Sequence, residues 1–323
     1  MKIALIGPGI VEIPPKGWGA VESLIWEIAS ELGEKDHEGV IFNTQDLNSV
    51  IDDIEEGEFD FIHLFYDVFY PIMDEIKSRC PNTVTAISSS YPYVDQFDKH
   101  AQDGYSGFFK WVCNQQDHYN FALSDKDLNT FKDNGANESK LLRLGLGAQH
   151  KTLEYAEAPE YADRSIYLAR ISRRKRQWIY QDLPGIDFVG RYTSETSFKK
   201  NNPNYLGEWT RETIYDELTK YGNMVLLSDG ENGTPLVIKE ALIAGLGIVC
   251  SHYCAYDLDY DLPFIDVIPE DKLDDMDYIS STIEKNRKES IQMREDIRQY
   301  GINNFSWQNI VDVYEKDILS FER

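Results

Sequence analysis

The sequence predicts an α/β protein built from two doubly wound domains, each a parallel sheet flanked by helices. Three observations lead there. Short apolar runs such as Ile3-Ala4-Leu5-Ile6 and Met224-Val225-Leu226-Leu227 stop at Gly, Ser or Asp, as strands buried on both faces of a parallel sheet do. Between the runs lie stretches with apolar residues three and four apart, so successive strands are joined by helices and not by hairpins. The chain has 323 residues, long for one core and suited to two.

Residues 2–7 open as a strand, and 20–32 follow as a helix with Val21, Leu24, Ile25, Ile28 and Leu32 on one face. The loop between them, GPGIVEIPPKGWG, is not a dinucleotide fingerprint, because Glu12 stands where the third glycine belongs and two prolines follow. Its end carries more information. Gly17-Trp18-Gly19 directly precedes the helix, and the two glycines let backbone N–H groups approach a bound anion closely. Further strands are expected at 39–42, 59–64, 83–87, 120–124 and 141–144. Doubly wound sheets bind ligands beyond the carboxyl ends of their strands, which brings His63 and Ser88 toward a cleft.

The acidic stretch 154–163, with Pro159, reads as a linker. A second sheet then begins at 165–169 and continues at 186–190, 204–207, 224–227, 247–250 and 264–268. Residues 281–300 read as one amphipathic helix, and 310–319 as a last one. Trp209 could stack on a base, but a surface-packed side chain is the favoured reading. Within 224–250 the pattern is strand, loop, helix, strand: Pro235 suits the first helical turn, Leu236, Val237, Ala241 and Leu242 give an apolar face, and Gly245 stands where a left-handed cap belongs.

The start of that helix points its unpaired N–H groups and positive dipole end into the loop Glu231-Asn232-Gly233-Thr234, a ready anion site. Glu231 and Glu240 flank it. A carboxylate can accept from two neighbouring hydroxyls, so an anion site between two carboxylates suits a sugar–phosphate–ribose ligand better than bare phosphate. Arg170 ends the strand at 165–169 and Lys175 follows five residues on; a planar fork and a mobile point charge together suit a diphosphate whose negative charge grows.

In order and at compatible spacing these features resemble glycosyltransferase family 4, retaining nucleotide-sugar enzymes of the GT-B fold. The resemblance rests on Gly19-Ala20-Val21-Glu22, the Arg170/Lys175 pair, Glu240-Ala241-Leu242 with Gly245, and the ending Asn304-Phe305-Ser306-Trp307. One departure stands out: Glu231 lies nine residues before Glu240, and Asn232 holds the position at the family's spacing. A histidine common after the strand at 83–87 is replaced here by serines. The resemblance implies two facing Rossmann-like domains, an acceptor-side one at 1–155 and a nucleotide-sugar-binding one at 156–303, with a helix at 304–323 crossing back onto the first.

It further implies transfer of a sugar from a nucleotide diphosphate donor, a UDP-sugar before others, to an acceptor hydroxyl with retention, without metal or other cofactor. Arg170, Lys175 and Glu231 are the expected catalytic residues. Gly17, Trp18, Gly19, Gly190, Asn232, Gly233, Thr234, Pro235, Leu236 and Glu240 complete the expected donor site, while His63, Ser88 and His100 are acceptor-side candidates. Two alternatives stay open: a glycosyltransferase acting on modified DNA bases, and a sugar-nucleotide-binding protein without turnover.

Composition narrows the partners. A net charge of −24 and a pI near 4.6 repel nucleic acid and anionic lipid, so a carbohydrate or small hydroxyl acceptor is expected. No apolar run is long enough for stable membrane insertion, and Met1-Lys2 leads directly into a strand without a signal-type segment. Four scattered cysteines form no framework, so a reducing cytoplasm is expected. Cys250-Ser-His252-Tyr-Cys254 has metal-binding residue types but no second pair nearby to complete four ligands.

Overall fold

The computed structural model describes residues 1–93 and 96–321. The chain divides into two compact units: unit 1 comprises Met1–Pro15, Gly19–Leu146 and the segment from Trp307, and unit 2 comprises Lys16–Trp18 and Gly147–Ser306.

Unit 1 runs β1 (Lys2–Gly7), α1 (Ala20–Gly33), β2 (Glu38–Asn43), α2 (Ile51–Glu56), β3 (Phe61–Leu64), α3 (Met73–Arg79), β4 (Val84–Ile87), α4 (Tyr105–Cys113), β5 (Tyr119–Ala122), α5 (Asp125–Asp133) and β6 (Leu141–Arg143). All six strands are parallel, in the order β2-β1-β3-β4-β5-β6. Strand β3 is buried at every residue, as a central parallel strand covered on both faces must be. On α1, Leu24, Ile25, Ile28 and Leu32 are buried as their spacing requires, whereas Val21 is only partly covered.

Unit 2 contains β7 (Tyr161–Leu168), α6 (Gln177–Tyr180), β8 (Ile186–Val189), α7 (Arg211–Glu217), β9 (Tyr221–Leu226), α8 (Leu236–Ile243), β10 (Gly247–Ser251), β11 (Ile265–Ile268), α9 (Met276–Ser290) and α10 (Arg294–Phe305). Its five strands are also all parallel, in the order β11-β10-β9-β7-β8. The last helix, α11 (Trp307–Ser320), packs in unit 1: Tyr314 bonds His63, and Lys35 pairs with Asp312 at 2.6 Å and Glu315 at 2.9 Å.

Three expectations are corrected. Strand β7 begins at Tyr161, inside the stretch read as linker, because the Tyr161 ring packs on Tyr221 of β9 at 5.3 Å and anchors the strand ahead of a register shift. Residues 204–207 form no strand of their own. Pro203 cannot donate to a ladder, and only Tyr205 bridges Phe188 of β8. The helix expected at 281–300 is two helices separated by a turn at Ile291–Met293. The break lets the buried Arg294 guanidinium reach the carbonyls of Ala156, Thr219, Tyr221 and Ala244. Ala244 caps α8, so a cation from α10 closes that helix's negative end.

Among the described residues no helix is long and apolar enough to cross a membrane.

Candidate functional site

The strand order in unit 2 reverses between β7 and β9: the chain steps from β7 outward to β8, then returns to β9 on the other side. The loops leaving the carboxyl ends of β7 and β9 therefore start side by side at the switch point, the place where open α/β sheets bind ligands. These are the loops that carry Arg170 to Arg176 and Ser228 to Thr234. Tyr167, buried in β7, ties them together: its hydroxyl donates to the Lys175 carbonyl and accepts from the Leu227 N–H at 2.9 Å. Gln177, also buried, holds the first loop by donating to the carbonyls of Ala169 and Arg170 and accepting from Ser172. The loops then bond directly, Asp229 N–H to the Arg174 carbonyl at 3.0 Å and Arg174 Nη1 to the Gly230 carbonyl at 2.8 Å.

This zipper brings Lys175 and Glu231 into an ion pair, with Arg174 on the second carboxylate oxygen at 2.7 Å. Burial by itself would raise the Glu231 pKa, but the charges of Arg174 and Lys175 outweigh it and hold the group at about 2. Burial lowers the Lys175 pKa, against the pull of Glu231. The basic run is not a solvated patch. Arg173 donates to the Glu195 carbonyl, Arg174 and Lys175 serve Glu231, and Arg176 holds Tyr180 and Asp274. Arg170 differs from all of these: it is exposed, and its guanidinium makes no hydrogen bond or ion pair among the described residues.

Glu240 lies on α8 with 2% exposure. Its Oε1 pairs with Arg211, while its Oε2 is buried with no hydrogen-bond partner among the described residues. Arg211 opens α7, whose N-cap Thr210 accepts from Thr213, and its guanidinium also reaches the Tyr215 hydroxyl at 3.1 Å. Its backbone N–H donates to the Lys16 carbonyl at 3.0 Å, which places the neighbouring Gly17 and Trp18 in unit 2. The exposed Trp18 ring faces the Arg191 guanidinium at 5.3 Å, a cation–π contact. Gly19 sits instead in unit 1 as the N-cap of α1; there the buried Glu22, its pKa raised by burial, accepts from its own N–H and from Val11.

The rest of the 224–250 unit departs from expectation in detail. Pro235 is the N-cap of α8 and not a residue of its first turn. Val237, expected on the apolar face, is half-exposed, and Ile238, Lys239 and Glu240 are buried in its place, because α8 is covered nearly all round. Thr234 and Asp257 exchange bonds, N–H to carboxylate at 3.3 Å and N–H to hydroxyl at 3.1 Å, and Lys239 pairs with the same carboxylate at 3.2 Å. Gly233 is left-handed and Asn232 half-buried between Glu231 and it. Gly245 is left-handed as expected, with Leu246 N–H to Ala241 and Gly245 N–H to Leu242 completing a Schellman motif. At Gly190 a Cβ would lie 1.9 Å from the Ala169 carbonyl oxygen, so the loops after β7 and β8 approach closely only because that residue is glycine.

In unit 1, His63 is fully buried within β3. Its Nδ1 meets the Tyr314 hydroxyl at 2.8 Å and its Nε2 the Ser88 hydroxyl at 2.9 Å, and burial holds its pKa well below the ordinary value. Both nitrogens and Ser88 are thus engaged in the core, because α11 covers this face of the sheet. His100 stacks on Tyr93 at 3.6 Å. Among the described residues no group of three or more His, Cys, Asp and Glu could hold a metal ion, and all four cysteines are free.

Sequence reasoning missed Arg174 as a partner of Glu231 and Arg211 as the partner of Glu240. Arg174 stood beside the expected Lys175; Arg211 carried no signal beyond following a capping threonine.

The whole-chain architecture is that of the GT-B glycosyltransferases. Anabaena HepE in complex with UDP-glucose is 12% identical, with a TM-score of 0.75 over 99% of this chain and 100% of that one. Sucrose-phosphate synthase from Thermosynechococcus elongatus is 12% identical, with a TM-score of 0.76 over 99% and 100%. The lipopolysaccharide outer core galactosyltransferase WaaB is 13% identical, with a TM-score of 0.66 over 99% of each chain. At such identities the likeness is one of fold. No family model and no curated protein matches the sequence.

Proposed function

We propose that the chain is a glycosyltransferase of the family 4 type, moving a sugar from a nucleotide diphosphate donor to an acceptor hydroxyl with retention, in glycan biosynthesis. The observation that carries this is Glu240: a buried carboxylate with one oxygen neutralised by Arg211 and the other unmatched is prepared to accept from a ribose hydroxyl. The neighbours of this fold include HepE in complex with UDP-glucose, which supports a UDP-sugar donor. Arg170 and Lys175 stabilise the departing diphosphate. Glu231 fixes Lys175 and, through its remaining lone pairs, accepts from the sugar hydroxyls. The Gly17-Trp18 segment and Gly190 border the same site in unit 2. A cytoplasmic setting fits the four free thiols.

Calorimetry on variants tests the assignment. Glu240→Gln is expected to weaken UDP and UDP-glucose alike, since the ribose is common to both. Glu231→Gln is expected to weaken only UDP-glucose, because removing its charge leaves Arg174 and Lys175 available to a bare diphosphate. Equal losses on the two ligands for Glu231→Gln would move the sugar-holding role elsewhere.

The reaction we propose needs no divalent ion, since Arg170, Lys175 and the start of α8 supply the positive charge. Turnover is expected to survive excess EDTA; loss on chelation with rescue by magnesium or manganese would overturn that part of the reading.

A further inference from the structure

We infer that Arg211 is a positioning residue that makes the Glu240 carboxylate selective for ribonucleotide donors. The inference rests on the reading of unit 2 as a nucleotide-sugar site and assigns a role within it that no sequence motif marks. An unrestrained carboxylate turns about its last bond and presents either oxygen to a ligand. Here Arg211 occupies Oε1, so Oε2 is the oxygen left to face a hydroxyl, buried and unmatched among the described residues.

Arg211 can impose this because it is itself held at three points. Its backbone N–H is bonded to Lys16 at 3.0 Å, its guanidinium to the Tyr215 hydroxyl at 3.1 Å, and its charge lies 4.9 Å from the centre of the Tyr215 ring. A planar fork fixed in this way sets both the direction and the charge of its partner, which a flexible ammonium does less well. A site built to accept from a hydroxyl discriminates most strongly against a ligand lacking it, because the buried acceptor is then left unpaired. Without Arg211 nothing would fix which of the two carboxylate oxygens faces the ligand.

The test is the ratio of affinities for UDP and 2′,3′-dideoxyuridine diphosphate, measured by calorimetry on the full chain, with the adenosine and guanosine pairs alongside. Wild type is expected to prefer the ribonucleotide by about tenfold to a hundredfold. Arg211→Met and Arg211→Gln are expected to bring the ratio close to one, and Arg211→Lys, which keeps the charge but not the planar fork, to retain only part of the preference. A residue with a merely structural role would weaken both nucleotides equally and leave the ratio unchanged; that result overturns the inference. If Arg211→Met does not fold, Arg211→Gln decides. A wild-type ratio that Glu240→Gln leaves untouched overturns the ribose role of Glu240, and failure of wild type to bind any of these nucleotides overturns the donor reading itself.

Discussion

Arg170→Ala is expected to lower kcat about a hundredfold while leaving donor affinity nearly unchanged. The residue lies in the loop just beyond β7, at the switch point of the unit 2 sheet, and its exposed guanidinium is engaged by no other group among the described residues. Its charge is therefore available to a ligand without first breaking an ion pair. In the proposed reaction negative charge builds on the diphosphate as the sugar leaves, so a cation here stabilises the transition state more than the ground state. One such contact is worth on the order of 3 kcal/mol, which is the hundredfold. Lys175→Ala is expected to show a similar loss, although its ammonium is already shared with Glu231. Steady-state kinetics with UDP-glucose, with donor binding measured separately, check this. Near-normal turnover in both variants would remove the basic loop from the mechanism.

Glu231→Gln is expected to destabilise unit 2 by about 3 kcal/mol at neutral pH, with the difference from wild type vanishing in acid. The Glu231 carboxyl sits at about 2 in the fold against an ordinary 4.5, a gap worth about 3 kcal/mol at 1.36 kcal/mol per unit. A carboxyl whose value is depressed by folding contributes its full stabilisation above its ordinary range, and loses it as pH falls from about 4.5 through about 2. Urea unfolding followed at pH 7, 5, 4 and 3 should show wild type and Glu231→Gln converging as the pH drops. A separation that stays constant over that range would mean that Arg174 and Lys175 do not hold the carboxylate as described, and a variant as stable as wild type at pH 7 would mean the same.

The legible parts of the site were those encoded in short windows. Arg170 and Lys175 at the end of a strand, the turn at 231–234 and the glycine cap at Gly245 each depend on neighbours a few residues away, and each was located from the sequence. Where the window misled, a longer-range contact intervened. Residues 281–300 have continuous helical periodicity, yet the helix breaks so that Arg294 can bond carbonyls of Ala156, Thr219, Tyr221 and Ala244. His63 stands in a strand that points toward a ligand-binding edge, yet Tyr314 of α11, 251 residues away in sequence, takes one of its nitrogens.

The sequence by itself determined the two parallel α/β units, because alternation of short apolar runs with helical periodicity depends only on local spacing and burial. It also determined which loops bear charge, since turn residues and strand ends are local too. Tertiary structure alone decided how those charges are paired. Lys175 meets Glu231 across 56 residues and Arg211 meets Glu240 across 29, in both cases because the loops or helices that carry them are brought together by the strand order of the unit 2 sheet. An ion pair has no local signature. Its partners are chosen by the fold, and with them the guanidinium left open at Arg170 and the carboxylate oxygen left unmatched on Glu240 among the described residues.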